Sequence, residues 1–200
     1  VTAIAQAPSP RRDELLERSY RYVLQHGLGG MSLRPLAAAV GSSPRVLLFL
    51  FGSKDDLVRE LLARARQDEL ALLDAVRPDG AGRDRSQHDL AEAAVQTWQW
   101  LAAPEHRALL RLWVEGYARS LVEPAGPWRG FAEATVADWL TVLEEHQPVT
   151  TRHTPSGVAQ RTLVLAVLRG ALLDLLATGD ADRTSAAVAS QLAAWSATSR

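Results

Sequence analysis

The side chains that catalyse reactions are scattered through this chain, while the excess of basic over acidic side chains falls near its start. The five histidines, His26, His88, His106, His146 and His153, never stand four residues apart, so no helical pair presents two imidazoles to one metal ion. Cysteine is absent, which removes thiolate sites and disulfides. There is no Gly-x-Ser-x-Gly elbow, phosphate loop or dinucleotide fingerprint. Asp180 and Asp182 lack the ligand series of a calcium loop. Glu144-Glu145-His146 reads as solvated surface at a helix end, where histidine also suits the dipole. No catalytic residues, metal or cofactor are expected, and so no enzyme. The cations are arranged differently. Residues 1–54 hold seven basic and three acidic side chains, a net of +4, and the remainder of the chain carries −5. A basic head on an acidic body suits one DNA-facing end.

Those cations need elements to hold them, and every segment between breaks reads as helix. Ser9-Pro10 opens the first, with serine as N-cap and proline at the first helical position. Leu16, Tyr20, Val23, Leu24 and Leu28 follow at helical spacing, and His26-Gly27 ends it. Ser32 caps a short second helix with Leu33, Leu36, Ala37 and Val40 on one face. After Gly41-Ser42-Ser43 a third runs from Pro44 to about Leu50. Ser53-Lys54-Asp55-Asp56 is a capping-box pattern that opens a fourth, to about Val76 through Leu57, Leu61, Ala65 and Leu72. Arg77 to Ser86 is a polar, glycine-rich loop. The fifth helix carries Leu90, Ala94, Trp98 and Leu101. Pro104 opens a sixth with Leu110, Trp113, Val114, Tyr117 and Leu121. Trp128, Phe131, Thr135, Trp139 and Val142 mark a seventh. A loop from Gln147 to Ser156 precedes an eighth helix over about Gly157 to Thr178, and Gly179-Asp180 turns into a ninth with Val188, Leu192 and Trp195.

The expected fold class is all-α with about nine helices. At 200 residues and 47% hydrophobic, the chain has enough apolar surface for a real core in one large or two small domains. The boundary is expected near residue 56, giving a head at 9–56 and a body at 57–200, with the fourth helix, 54–76, as connector. Val1 to Pro10 has neither a basic nor an apolar stretch of the secretory kind. The longest apolar run, Leu163 to Leu168, is far too short to cross a bilayer. A cytoplasmic protein that does not engage a membrane is expected.

Two short helices joined by a tight glycine-containing turn are the signature of a helix-turn-helix. The second such helix can enter the major groove, where its N-terminal residues reach base edges, and helix N-termini offer free N–H groups to phosphate. From Arg12 to about Leu62 the chain resembles the DNA-binding domain of the TetR family. Ser32-Leu33-Arg34-Pro35-Leu36-Ala37 is similar to the opening of that family's second helix, Gly41-Ser42-Ser43 to its turn, and Phe51-Gly52-Ser53-Lys54-Asp55-Asp56-Leu57 to the block joining its third and fourth helices. The resemblance implies that Ser32 and Lys54 bond phosphates, that Arg34 reaches a phosphate or base edge, and that Ser43, Pro44 and Arg45 face the groove. Ser32 and Ser53 also read as N-caps, and Arg34 and Arg45 as plain surface charges. The chain departs from the family where tyrosine and histidine usually contact phosphate, because those positions are Leu48 and Leu50. The family's glycine after the turn is Arg45 here. Val46-Leu47-Leu48-Phe49-Leu50-Phe51 is too apolar for a helix this short to bury on every side, so Leu48 or Leu50 is expected to be exposed.

The eighth helix is apolar nearly all round, which calls for burial on more than one side. A second subunit would supply one of those sides, and the family's last two helices pair in that way. Leu165, Leu168, Gly170, Leu172, Leu176, Leu192 and Trp195 are the candidate dimer contacts, against the alternative of an internal core. Trp98, Trp113, Tyr117, Trp128, Phe131 and Trp139 cluster in helices five to seven. They could line a pocket for a small apolar or aromatic ligand or simply fill the core, with Glu115, His106 and Arg111 as possible polar handles. The expected function is a ligand-responsive, homodimeric repressor that leaves double-stranded operator DNA when a small molecule binds. The alternative is a dimeric ligand-binding helical module whose operator recognition is weak or lost.

Overall fold

The computed structural model describes residues 9–76, 90–123 and 125–198, and of 72–76 and 196–198 the backbone alone. The expected loop over Arg77–Ser86, His88, the Leu72 side chain and residues 1–8 lie outside the described residues. Within them the chain is all-helical. The elements are α1 (Pro10–His26), α2 (Leu33–Ala39), α3 (Pro44–Phe51), α4 (Lys54–Val76), α5 (Leu90–Ala102), α6 (Arg107–Val122), α7 (Phe131–Glu145), α8 (Pro155–Thr178) and α9 (Ala181–Thr198). Two compact units emerge. One holds the described residues through Asp68 together with Arg111–Ala132, and the other holds Glu69–Leu110 with Glu133 onward.

In the first unit, Leu15, Tyr20, Val23, Leu36, Leu47, Phe51, Leu57 and Leu61 are buried. With the buried Ser19, those of α1, α3 and α4 fall at three- and four-residue steps, the period that puts side chains on one face of a helix. Helix ends are set locally. The Ser9 hydroxyl accepts from the Arg12 amide, and the Ser43 hydroxyl from the Val46 amide. Gly41 turns the chain between α2 and α3 at φ +68°, a conformation that costs a residue with a Cβ but not glycine.

The second unit is built on α5, α8 and α9, which pack on one another. Val164, Leu165, Leu168, Leu172 and Leu175 of α8 are buried with Leu192 and Val188 of α9 and Trp98 of α5. A polar knot seals the start of α8. The Arg161 guanidinium is almost fully buried. It donates to the Gln147 side-chain oxygen at 3.1 Å and pairs with Glu144 at 3.0 Å, while the Gln147 amide donates to the Gly157 carbonyl at 2.8 Å.

Four details differ from the sequence reading. Pro104 opens a single 3-10 turn, Pro104–His106, and α6 begins only at Arg107. Trp128 precedes α7, in a turn that closes at Gly130. α8 starts two residues earlier than expected, because the Thr154 hydroxyl accepts from the Gly157 amide and Pro155 takes the first helical position. His146 is no solvated surface residue: it is buried, with its ring bonded to the Val142 carbonyl at 2.9 Å.

Candidate DNA-recognition surface

The head carries many cations, and most are already committed. Arg12 donates to the Leu50 carbonyl at 3.4 Å, pairs with Glu60 and lies over the Phe51 ring. Arg18 donates to the Val40 carbonyl at 3.3 Å and pairs with Glu14. Two of the four arginines of α1, Arg12 and Arg18, thus serve carbonyls at the C-terminal ends of the next two helices, where a cation also meets the negative end of the dipole, while Arg21 is exposed and unpaired among the described residues. Arg11 pairs with Glu14, Arg59 with Asp56, and Arg64 with Glu17 and Asp68. Arg34, Arg45 and Lys54 are different. All three are exposed, and none has an ion pair or hydrogen bond among the described residues. They are the three cations singled out from the sequence, at or near the starts of α2, α3 and α4.

The hydroxyls divide. Ser43 is exposed and spends its oxygen on the α3 cap. Ser32 is exposed and makes no cap bond, contrary to the expectation, so its hydroxyl remains available. Pro44 is half-buried at the first position of α3. At α4 only the serine half of the capping box forms, since the Ser53 amide turns to the Phe51 carbonyl. The Ser53 hydroxyl accepts from the Asp56 amide at 3.0 Å and donates to the Asp56 carboxylate at 2.6 Å. That hydroxyl, foremost, and then Arg59 hold the Asp56 carboxyl below the usual range.

Leu47 and Phe51 anchor α3 in the core. At 100° per residue its outward pole falls on Phe49, with Arg45 one turn earlier on the same side. Phe49 is 71% exposed, Leu48 40% and Val46 39%. Leu48 is therefore the exposed leucine of the pair and Leu50 is half-buried. Sequence reasoning left Phe49 unremarked, although its place opposite Leu47 and Phe51 could have marked it.

Within the same unit α6 grips the α1–α2 connection. The Glu115 carboxylate accepts from the Leu28 amide at 2.8 Å. A Cβ on Gly29 would sit 2.5 Å from that carboxylate and 2.7 Å from the Arg119 guanidinium, so the ends of both side chains would have to shift to admit one. Glu115 is thus spent on the backbone of the head. His106 bonds the Trp100 carbonyl and stacks on its ring, and Arg111 is exposed.

The six aromatic candidates fall in different units. Trp113, Tyr117, Trp128 and Phe131 belong to the first, Trp98 and Trp139 to the second. All are buried except Tyr117, which is half-buried. Trp98 donates to the Ser185 hydroxyl at 3.0 Å, Trp128 to Glu123 at 3.1 Å and Trp139 to the buried Glu69 carboxylate. Of the candidate dimer contacts, Leu165, Leu168, Leu172 and Leu192 are buried within the chain itself, Leu176 and Trp195 are half-buried, and Gly170 is exposed. The side of α8 left open carries Val158, Thr162, Leu163, Ala166, Gly170, Leu173 and Ala177.

No family model matches the chain. Over 78 residues it is 33% identical to the HTH-type transcriptional repressor AcnR of Corynebacterium glutamicum, a match covering 39% of this chain and only 40% of that protein. Solved structures align far more fully. A transcriptional regulator from Rhodococcus sp. Rha1 superposes with a TM-score of 0.72 over 91% of this chain and 94% of its own, at 20% identity. A TetR-family member from Streptomyces coelicolor A3 gives 0.66 over 92% and 98%, at 24% identity. The multidrug binding protein EbrR, complexed with imidazole, gives 0.65 over 96% of each chain, at 25% identity. The class these likenesses define is one of fold: all-helical with an N-terminal helix-turn-helix, as in the regulators just named. Within that class the chain has the TetR-family fold, as its motifs between Arg12 and Leu62 led one to expect.

Proposed function

We infer that this protein is a DNA-binding transcriptional regulator. The observation that carries the reading is that Arg34, Arg45 and Lys54 stay exposed and unpaired at the helix starts of the helix-turn-helix, while Arg11, Arg12, Arg18, Arg59 and Arg64 are bound to carboxylates and carbonyls. Unpaired cations at helix starts are what a phosphate backbone requires. Repression follows the likeness to AcnR. The test is a gel shift with DNA from upstream of its own gene. A salt-sensitive complex that weakens on Arg45→Ala is expected, and no complex at low salt would refute the reading.

Dimerisation supplies the second reader that a short recognition helix needs, with the two α3 copies ~34–36 Å apart or a multiple of that spacing. The open side of α8 supports a seam through Ala166, Gly170 and Leu173, with the buried leucines behind it. Release by a small apolar or aromatic molecule rests on the likeness to the multidrug binding protein EbrR, solved in complex with imidazole and with proflavin. Tryptophan fluorescence titrated with such compounds, followed by a repeat of the gel shift, tests that part. A cytoplasmic setting accompanies this role. The apolar outer face of α3 supports a second reading, a dimeric small-molecule-binding module that has lost its operator. Binding to random and selected DNA with equal affinity would favour it.

A further inference from the structure

The outward pole of the recognition helix is a benzene ring. Phe49 is 71% exposed, whereas the protein's other two phenylalanines, Phe51 and Phe131, are buried. Val46 and Leu48 stand beside it, both partly in water. None of these side chains has a donor or acceptor with which to read the polar edge of a base. In the major groove the apolar feature of the base edges is the C5-methyl group of thymine. We propose that Phe49, flanked by Val46, is the specificity-determining contact of this helix and reads thymine methyl groups in each operator half-site. The proposal rests on the DNA-binding reading above and names what that surface recognises.

The setting favours DNA over another copy of the chain as the occupant of this face. Arg45 lies one turn before Phe49 on the same side of α3, and Arg34 and Lys54 add two more unpaired cations to the same head. A polyanion is drawn to that rim. Two copies meeting through Phe49 would instead bring their own Arg45 side chains together, and like charges set face to face disfavour such a contact. Arginine then anchors the helix to the backbone, and the ring is left to judge the bases.

The experiment begins with selection of duplexes from a random pool by the full-length protein at low salt. In the enriched sequence each thymine is replaced in turn by deoxyuridine, which removes the methyl group and leaves the Watson–Crick edge unchanged. At one symmetric position, binding by the wild-type protein should weaken by about fourfold for each methyl removed, the value of a buried methyl contact. Phe49→Ala should bind the thymine and uracil duplexes alike. Arg45→Ala should weaken both and keep their ratio. Equal wild-type binding to every thymine and uracil duplex would overturn the proposal, as would a Phe49→Ala variant that keeps the full ratio. A Phe49→Ala variant that changes the sedimentation of the DNA-free protein would also overturn it, by assigning the ring to a protein contact. Failure to enrich any duplex would be a distinct result, since it would remove the DNA-binding reading itself.

Discussion

Single side chains in the head divide into those that hold the fold and those that are free to act, and each makes its own prediction. Ser53 both accepts from and donates to Asp56 at the start of α4. Ser53→Ala should therefore cost about 1 kcal/mol, measured by denaturant melts. Tyr20 is a holder with a pH signature. Burial first, and then its bond to the Asp68 carboxylate at 2.8 Å, raise its phenol above the ordinary value. A raised folded-state pKa gives stability that is whole below the unfolded-state value, ~10 for tyrosine, and declines as pH rises beyond it. Melting temperatures should fall above about pH 10. The Tyr20 share of the phenolate absorbance should appear only with unfolding, and Tyr20→Phe should remove it. Arg34, Arg45 and Lys54 are free to act. Neutralising any of them should leave the melting temperature within error and weaken DNA binding.

At the scale of elements, the decisive contacts join helices that are distant in sequence. Arg12 and Arg18 make α1 the clamp for the ends of α3 and α2, bonding the Leu50 and Val40 carbonyls. Glu115 does the same for the α1–α2 connection from α6. Glu115→Ala removes a charge-assisted bond worth about 1.5–3 kcal/mol. It should be seen first as faster exchange of the Leu28 amide hydrogen, before any global loss of stability. In the other unit, a Cβ on Gly157 would sit 2.1 Å from the Thr151 carbonyl oxygen, which is backbone and has no rotamer to yield. Gly157→Ala should shift the start of α8 and destabilise by roughly 1–3 kcal/mol, with the Gln147–Arg161 knot disrupted in the same variant.

The whole molecule has a net charge of −1, yet its proposed partner is a polyanion. The charges are not averaged: the internal pairs of α1 and α4 cancel most of the head's cations and leave a small set pointing outward. A dimer presenting Arg34, Arg45 and Lys54 from both heads would neutralise about six phosphates, so the logarithm of its affinity should fall with the logarithm of salt at a slope of about −5. Arg34→Ala should reduce that slope by about two, one for each head. Dimerisation through the open side of α8 is tested by Leu173→Glu, which should yield a monomer by sedimentation, whereas a change at a leucine already buried in the chain, such as Leu168, should unfold rather than dissociate.

Helix periodicity and punctuation made most of the architecture legible. The Ser9-Pro10 and Ser53 caps are local chemistry, and local chemistry is written in consecutive residues, whereas the cap expected at Ser32 makes no side-chain bond and the one at Ser43 went unread. The motifs between Arg12 and Leu62 marked the helix-turn-helix, and the same stretch pointed to Arg34, Arg45 and Lys54. What consecutive residues do not record is which partner a side chain finds across space. Only the tertiary structure separated the committed arginines from the free ones, made Glu115 a clamp on the Leu28 amide, buried His146 and put Phe49 outermost on α3. It also divided the apolar surface of α8 into a side packed on its own chain and a side left open. A helix that is apolar all round states that it must be covered, but which face meets which neighbour is settled when the helices pack.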